Sequence, residues 1–192
     1  MSIYSTDLNT PPDLIKYIEQ TVADIPKEQA TVHKRFDDET KKVTNTDIRS
    51  CYVQACNFNE NWIPCFFDSY IRRFNQVYYH YDISHLRDSV QYITYDKDDH
   101  YDWHVDETTH LQPQFKGDRD LVRKISFSFL CNDDYEGGDL EFWNKQDGST
   151  YTVPKKQSRL IVFPSSTRHR VKPVTDGQRR SIVGWMVGPP WK

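Results

Sequence analysis

Apolar and polar positions follow two rhythms along this chain. The first is helical. Leu14, Ile15, Ile18 and Val22 recur at three- and four-residue intervals. They follow Thr10-Pro11-Pro12-Asp13, where Thr10 suits an N-cap and proline suits the first turn. A second stripe, Ile63, Phe66, Phe67, Tyr70, Ile71, Phe74 and Val77, predicts the main helix within Asn59–Tyr79, packed on a sheet. Between the two, residues 26–47 are polar and read as loop or weak strands, and Ser50–Phe58 reads as a strand. After residue 88 the rhythm shortens to strands. Val90–Tyr95 is rich in β formers, and Lys124–Phe129 alternates, with small polar residues on one face. Gly137-Gly138 marks a turn before Asp139–Trp143, and further strands fall at Arg159–Phe163 and Ser181–Val187. Helices first and many short strands afterwards suggest a sandwich or jelly roll buttressed by helices.

Composition narrows the class. A chain of 192 residues fits one domain, 1–192, with a helical support region (1–87) and a jelly-roll core (88–192). A net charge of −3 gives no electrostatic sign of a nucleic-acid partner. No apolar run is long enough for a membrane helix, and the N-terminus lacks the pattern of a secretory signal. A cytoplasmic protein is expected, in the host cytoplasm if of phage origin. Cys51, Cys56, Cys65 and Cys131 form no disulfide framework and read as reduced thiols, with a structural zinc on the first three as the alternative. The sequence assigns no oligomeric state.

The candidate chemistry lies in three H-x-D triplets: His80/Asp82, His100/Asp102 and His104/Asp106. On a straight strand, residues i and i+2 share a face and can chelate one ion, so geometry alone leaves the triplets open. A non-haem iron site of two histidines and one carboxylate needs a third ligand from elsewhere, and His169, after an apolar strand and a turn, is a candidate. His110 is a rival within a local His104/Asp106/His110 cluster. A carboxylate cosubstrate further needs a fixed cation. Arg179, with Ser181 two residues on, supplies a fork and a hydroxyl.

Four ordered blocks then carry a family resemblance. They are Tyr95, Tyr101, His104 and Asp106 (Y-x5-Y-x-x-H-x-D); Asn132-Asp133-Asp134-Tyr135-Glu136-Gly137-Gly138-Asp139-Leu140-Glu141-Phe142; Phe163-Pro164-Ser165 with His169-Arg170-Val171-Lys172-Pro173-Val174; and Gly177, Arg179, Ser181 and Trp185. From Tyr92 to Pro190 the chain resembles the Fe(II)/2-oxoglutarate dioxygenases of the prolyl 4-hydroxylase-like group, in particular PKHD-type hydroxylases. In the register of His100 the two tyrosine positions hold Gln91 and Lys97, so the resemblance selects His104/Asp106.

The resemblance implies a mainly β fold with supporting α, a double-stranded β-helix (jelly roll, cupin-like) with N-terminal helices packed on the sheet, in which His104, Asp106 and His169 hold Fe(II). It also implies that Arg179 binds the 5-carboxylate of 2-oxoglutarate, with Ser181 and the Tyr95 hydroxyl assisting and Trp185 either near the cosubstrate or in the core. The implied activity consumes O2 and 2-oxoglutarate, releases succinate and CO2, is aided by ascorbate, and hydroxylates a prolyl residue in a peptide or protein. A free amino acid or other small molecule as substrate, a non-catalytic metal- and ligand-binding jelly roll, and a zinc-bearing structural module are the alternatives. The family often has glycine where this chain has Asp98. Arg180 is expected to face solvent, and Arg168, Arg170 and Lys172 form a basic face that is either solvated or attracts an acidic substrate. Glu107–Asp120, irregular and with Pro113 and Gly117, is a candidate substrate lid or a surface insertion.

Overall fold

A computed structural model describes residues 2–36, 39–87, 89–107 and 121–191, without the side chains of residues 33–36 and 39–42. His110 and most of the candidate lid lie outside the described residues. Among the described residues, two antiparallel sheets face each other. The larger has seven strands in the order β1 (Tyr4–Asp7), β13 (Arg159–Pro164), β9 (Val122–Leu130), β16 (Arg179–Gly188), β7 (Ser89–Tyr95), β6 (Tyr52–Asn57) and β2 (Glu28–Gln29). The smaller runs β12 (Thr150–Thr152), β11 (Leu140–Trp143), β14 (His169–Val171), β8 (His100–His104) and β5 (Arg49–Ser50). Two short pairs complete the set: β3 (Val32–Phe36) with β4 (Glu39–Val43), and β10 (Glu136–Gly137) with β15 (Val174–Asp176). This is the expected jelly roll. Residues before 88 supply β1, β2 and β6 to the large sheet and β5 to the small one, so the support region is woven into both.

The strands β7, β9, β13 and β16 of the large sheet are buried on both faces, and the alternation decides which core each residue joins. Val90 and Tyr92 of β7, Phe127 and Phe129 of β9, Leu160 and Val162 of β13, and Ile182 and Met186 of β16 face the helices. There they meet Leu14, Ile18 and Val22 of α1 (Leu14–Val22) and Ile63, Phe67 and Ile71 of α2 (Ile63–Phe74). Phe67 anchors this layer, with ring centroids 5.1 Å from Phe127 and 5.2 Å from Phe129. The opposite faces supply Ile93, Tyr95, Leu130, Ile161 and Phe163 to the core between the sheets, where Leu140, Phe142 and Val171 close from the small sheet.

Several expectations are corrected. α1 begins at Leu14 with Asp13 at the cap position, and Thr10 instead hydrogen-bonds the Ser158 hydroxyl at 3.3 Å. α2 starts only at Ile63, and its stripe does not reach Val77, which is exposed. A π-helical turn, Asn75–Tyr79, advances the phase by one residue and buries Tyr79 instead. Within residues 26–47, where the sequence reads as loop or weak strands, Glu28–Gln29, Val32–Phe36 and Glu39–Val43 are strands, and a strand at Tyr4–Asp7 escaped the pattern because only β13 supports it. Cys51 lies between the sheets, Cys56 beneath the helices and Cys65 on an exposed position, so those three thiols do not converge.

Candidate active site

β8 and β14 lie side by side, and His104 and His169 are paired directly across them. The register then slips, so that Tyr101 opposite Val171 leaves three steps on β8 against two on β14. This bulge re-aims the strand. Tyr101 and His104 both turn inward despite their odd spacing, and their rings stack with centroids 3.5 Å apart. A straight strand would have carried His100 and Asp102 onto the His104 face. Instead Asp102 is exposed, and the His100 imidazole reaches the backbone carbonyl of Asp47 at 3.2 Å. His80 and Asp82 are exposed as well.

Asp106 follows the end of β8. Its N–H donates to the Ser165 carbonyl at 3.0 Å, which ties it to the turn that leads into His169. The donor atoms of His104, Asp106 and His169 all lie within 4.8 Å of one another. Asp106 stands 3.7 Å from Nε2 of His104 through one oxygen and 3.5 Å from Nε2 of His169 through the other. Each imidazole is pinned from behind. Nδ1 of His104 lies 2.7 Å from the Asp102 carbonyl, and Nδ1 of His169 lies 2.9 Å from the Thr167 carbonyl. A carbonyl only accepts, so each Nδ1 donates and each Nε2 keeps its lone pair for a cation. Burial, then the neighbouring His169, pushes the His104 pKa well down, against the pull of Asp106. Burial opposes ionisation of Asp106, but both histidines and Arg123 outweigh it and hold the carboxyl below its usual range. The group therefore offers two imidazoles and a carboxylate, a donor set that fits Fe(II) with positions left open.

Arg179 opens β16 opposite Tyr95 of β7, with its guanidinium carbon 5.2 Å from the tyrosine ring. It is 1% exposed, donates from Nη1 to the Ser181 hydroxyl at 2.8 Å, and has a buried Nε with no partner. An unpaired buried donor on a cation is costly, so the arrangement fits an anion that would complete the fork. Gly138, at φ +60°, leaves the room, since a Cβ there would stand 3.1 Å from Arg179 Cδ. Asn132 holds the start of β16 by accepting from the Arg180 N–H at 2.8 Å and donating to the Gln178 carbonyl at 2.8 Å. The Asn132–Phe142 block is thus scaffolding for Arg179. Arg180 does not face solvent but pairs with Glu19 of α1.

These groups line one cavity of about 370 Å³ that includes Tyr95, Tyr101, His104, Asp106, His169, Arg179 and Trp185. Trp185 presents its ring to this cavity, under the Arg123 guanidinium at 3.8 Å. The helix-like alternation of β9 had hidden Arg123. A second bulge, where Ile125 pairs with Met186 but Arg123 with Val187, swings it off the helix face. Arg49 and Ser128 also line the cavity and carried no sequence signal. Arg168, Arg170 and Lys172 do not line it. Arg170 pairs with Glu141 at 2.7 Å, and Lys172 lies 3.7 Å from the same carboxylate. Asp98, in the turn between β7 and β8, adopts φ +72°, which accounts for the glycine common at that position in the family.

The fold and this donor set define a class, and comparison with known proteins agrees. Residues 90–187 match the model of the 2OG-Fe(II) oxygenase superfamily, and the chain belongs to that family. It is 39% identical over 90 residues to a PKHD-type hydroxylase of Synechococcus sp. (strain CC9902), covering 46% of this chain and 36% of that one. It is 33% identical over 90 residues to a PKHD-type hydroxylase of Hyphomonas neptunium, covering 46% and 38%. The chain thus spans little more than a third of the length of these relatives. A prolyl-4-hydroxylase of Pseudomonas putida shares the fold with a TM-score of 0.67 at 18% identity, over 98% of this chain and 93% of that one. A prolyl hydroxylase of Trichoplax adhaerens, solved with a hypoxia inducible factor peptide fragment, has a TM-score of 0.68 at 17% identity over 96% and 82%.

Proposed function

We propose that the protein is a 2-oxoglutarate- and O2-dependent hydroxylase that uses non-haem Fe(II) and acts on a prolyl residue of a peptide or protein. The observation that carries this is the convergence of two pinned imidazoles and one carboxylate beside a buried arginine whose Nε has no partner. Iron, cosubstrate and oxygen would together supply the oxidising power, with succinate and CO2 released; the chain supplies ligation, orientation and shelter. His104, Asp106 and His169 hold the metal. Arg179, steadied by Ser181 and Tyr95, takes the far carboxylate of 2-oxoglutarate, and ascorbate keeps the iron reduced. Trp185 forms cavity wall. The prolyl assignment draws on the fold shared with the prolyl hydroxylases of P. putida and T. adhaerens. A cytoplasmic site of action belongs to the same reading. Among the described residues no helix is long and apolar enough to cross a membrane.

The test is an anaerobic titration of Fe(II) and 2-oxoglutarate, following the visible metal-to-ligand charge-transfer band. The wild type and His100→Ala should develop the band, and His104→Ala should not. A folded wild type without a band would overturn the reading in favour of a non-catalytic jelly roll.

A further inference from the structure

Besides Arg179 and Arg87, the described lining of the cavity holds two arginines, Arg49 and Arg123, that the proposed chemistry leaves unused. Arg49, on β5, lies with its guanidinium carbon 4.7 Å from the Tyr101 ring centroid. It donates from Nη1 to the Thr31 carbonyl at 3.3 Å and reaches the Gln91 side-chain oxygen from Nη2 at 3.5 Å. Arg123 rests on Trp185 and donates from Nη1 to the Asp106 carbonyl at 3.3 Å. That places it one peptide group from the proposed metal site. Neither arginine has a carboxylate partner among the described residues, and the Nε of each is buried without any partner.

Charge accounting points the same way. Arg49, Arg87, Arg123 and Arg179 face two carboxylates, Asp106 and Glu28, among the described lining residues. A divalent iron and the two carboxylates of 2-oxoglutarate cancel each other, so loading the site leaves the described lining net positive. Both guanidiniums are stacked on aromatic faces, which leaves their in-plane edges to recognise a planar anion.

We propose that Arg49 and Arg123 form a second anion subsite that takes a carboxylate of the substrate, so the preferred substrate is acidic close to the carbon that is hydroxylated. This rests on the hydroxylase reading and narrows its substrate class. The carboxylate comes either from an acidic side chain beside the proline or from a free chain terminus. Two probe pairs separate these sources: acetyl-Ala-Pro-Glu-amide against acetyl-Ala-Pro-Gln-amide, and acetyl-Ala-Pro free acid against its amide.

Each probe is titrated calorimetrically into the anaerobic protein with Fe(II) and 2-oxoglutarate, and the charge-transfer band is recorded beside it. One acidic probe should bind about tenfold or more tightly than its neutral partner, as charge-assisted hydrogen bonds require. Arg49→Gln and Arg123→Gln should each bring it to the neutral level, and in Arg49→Gln the 2-oxoglutarate titration should stay at its wild-type midpoint. Arg123→Lys, which keeps the charge and loses the planar fork, should retain part of the preference. Equal binding within both pairs, no binding of either acidic probe, or a preference that survives both glutamine variants would overturn the subsite. Loss of the band with the acidic preference intact would instead count against the hydroxylase reading alone.

Discussion

Replacing Arg179 by methionine separates what this residue does for the fold from what it does for the cosubstrate. In the protein alone, Arg179 is an almost fully buried cation whose sole hydrogen bond among the described residues goes to Ser181. Methionine has similar bulk and needs no partner, so Arg179→Met should melt at the wild-type temperature or slightly above. Binding should respond in the opposite direction. A carboxylate seated on the fork accepts about two charge-assisted hydrogen bonds worth roughly 1.5–3 kcal/mol each. Their loss, about 3–6 kcal/mol at ~1.4 kcal/mol per tenfold, weakens 2-oxoglutarate by about 10²–10⁴-fold. Salt should rescue little, because the site is buried. The assay is the anaerobic charge-transfer titration at fixed Fe(II), beside Mn(II) affinity in the absence of cosubstrate, which should not change. A 2-oxoglutarate affinity within about fivefold of wild type would refute Arg179 as the anchor. A collapse in melting temperature would show that its role is structural.

Other expectations follow from single features. Asp98 occupies a left-handed backbone position, so Asp98→Gly should be neutral or stabilising, and Asp98→Val should lose about 1–2 kcal/mol in urea unfolding. Phe67→Ala should cost about 3–5 kcal/mol, since the fully buried ring packs on Phe127 and Phe129; a loss below about 1 kcal/mol would mean that the helix layer is loosely packed. Hydrogen bonds from Arg159 and then Lys156 lower the Asp7 pKa from 3.8 to about 2. A lowered pKa means that the unfolded form binds the proton first, so the contribution of Asp7 is complete above 3.8 and fades as pH falls to about 2. Amide exchange of Tyr4–Asp7 should quicken over that window in wild type and show no such step in Asp7→Asn.

The hydrophobic pattern by itself determined the layers. Period-two strands with apolar residues on both faces require covering on both sides, and the stripes of Leu14/Ile18/Val22 and Ile63/Phe67/Ile71 are what cover one of them. The proposed metal-ligand residues were legible only as ordered blocks, because a single H-x-D in so acidic a chain carries little information. Tertiary structure decided what local periodicity cannot encode. Two bulges change facing without changing composition: one brings Tyr101 and His104 to the same side, and the other turns Arg123 from the helix layer into the cavity. Strands such as Tyr4–Asp7 and Arg49–Ser50 are too short to be seen alone and exist because β13 and β8 supply their hydrogen bonds. Arg49 reaches the cavity through such a pairing. The positive excess beside the metal ligands is therefore a property of the folded sheet, assembled from residues that are far apart in the chain and unremarkable where they stand in it.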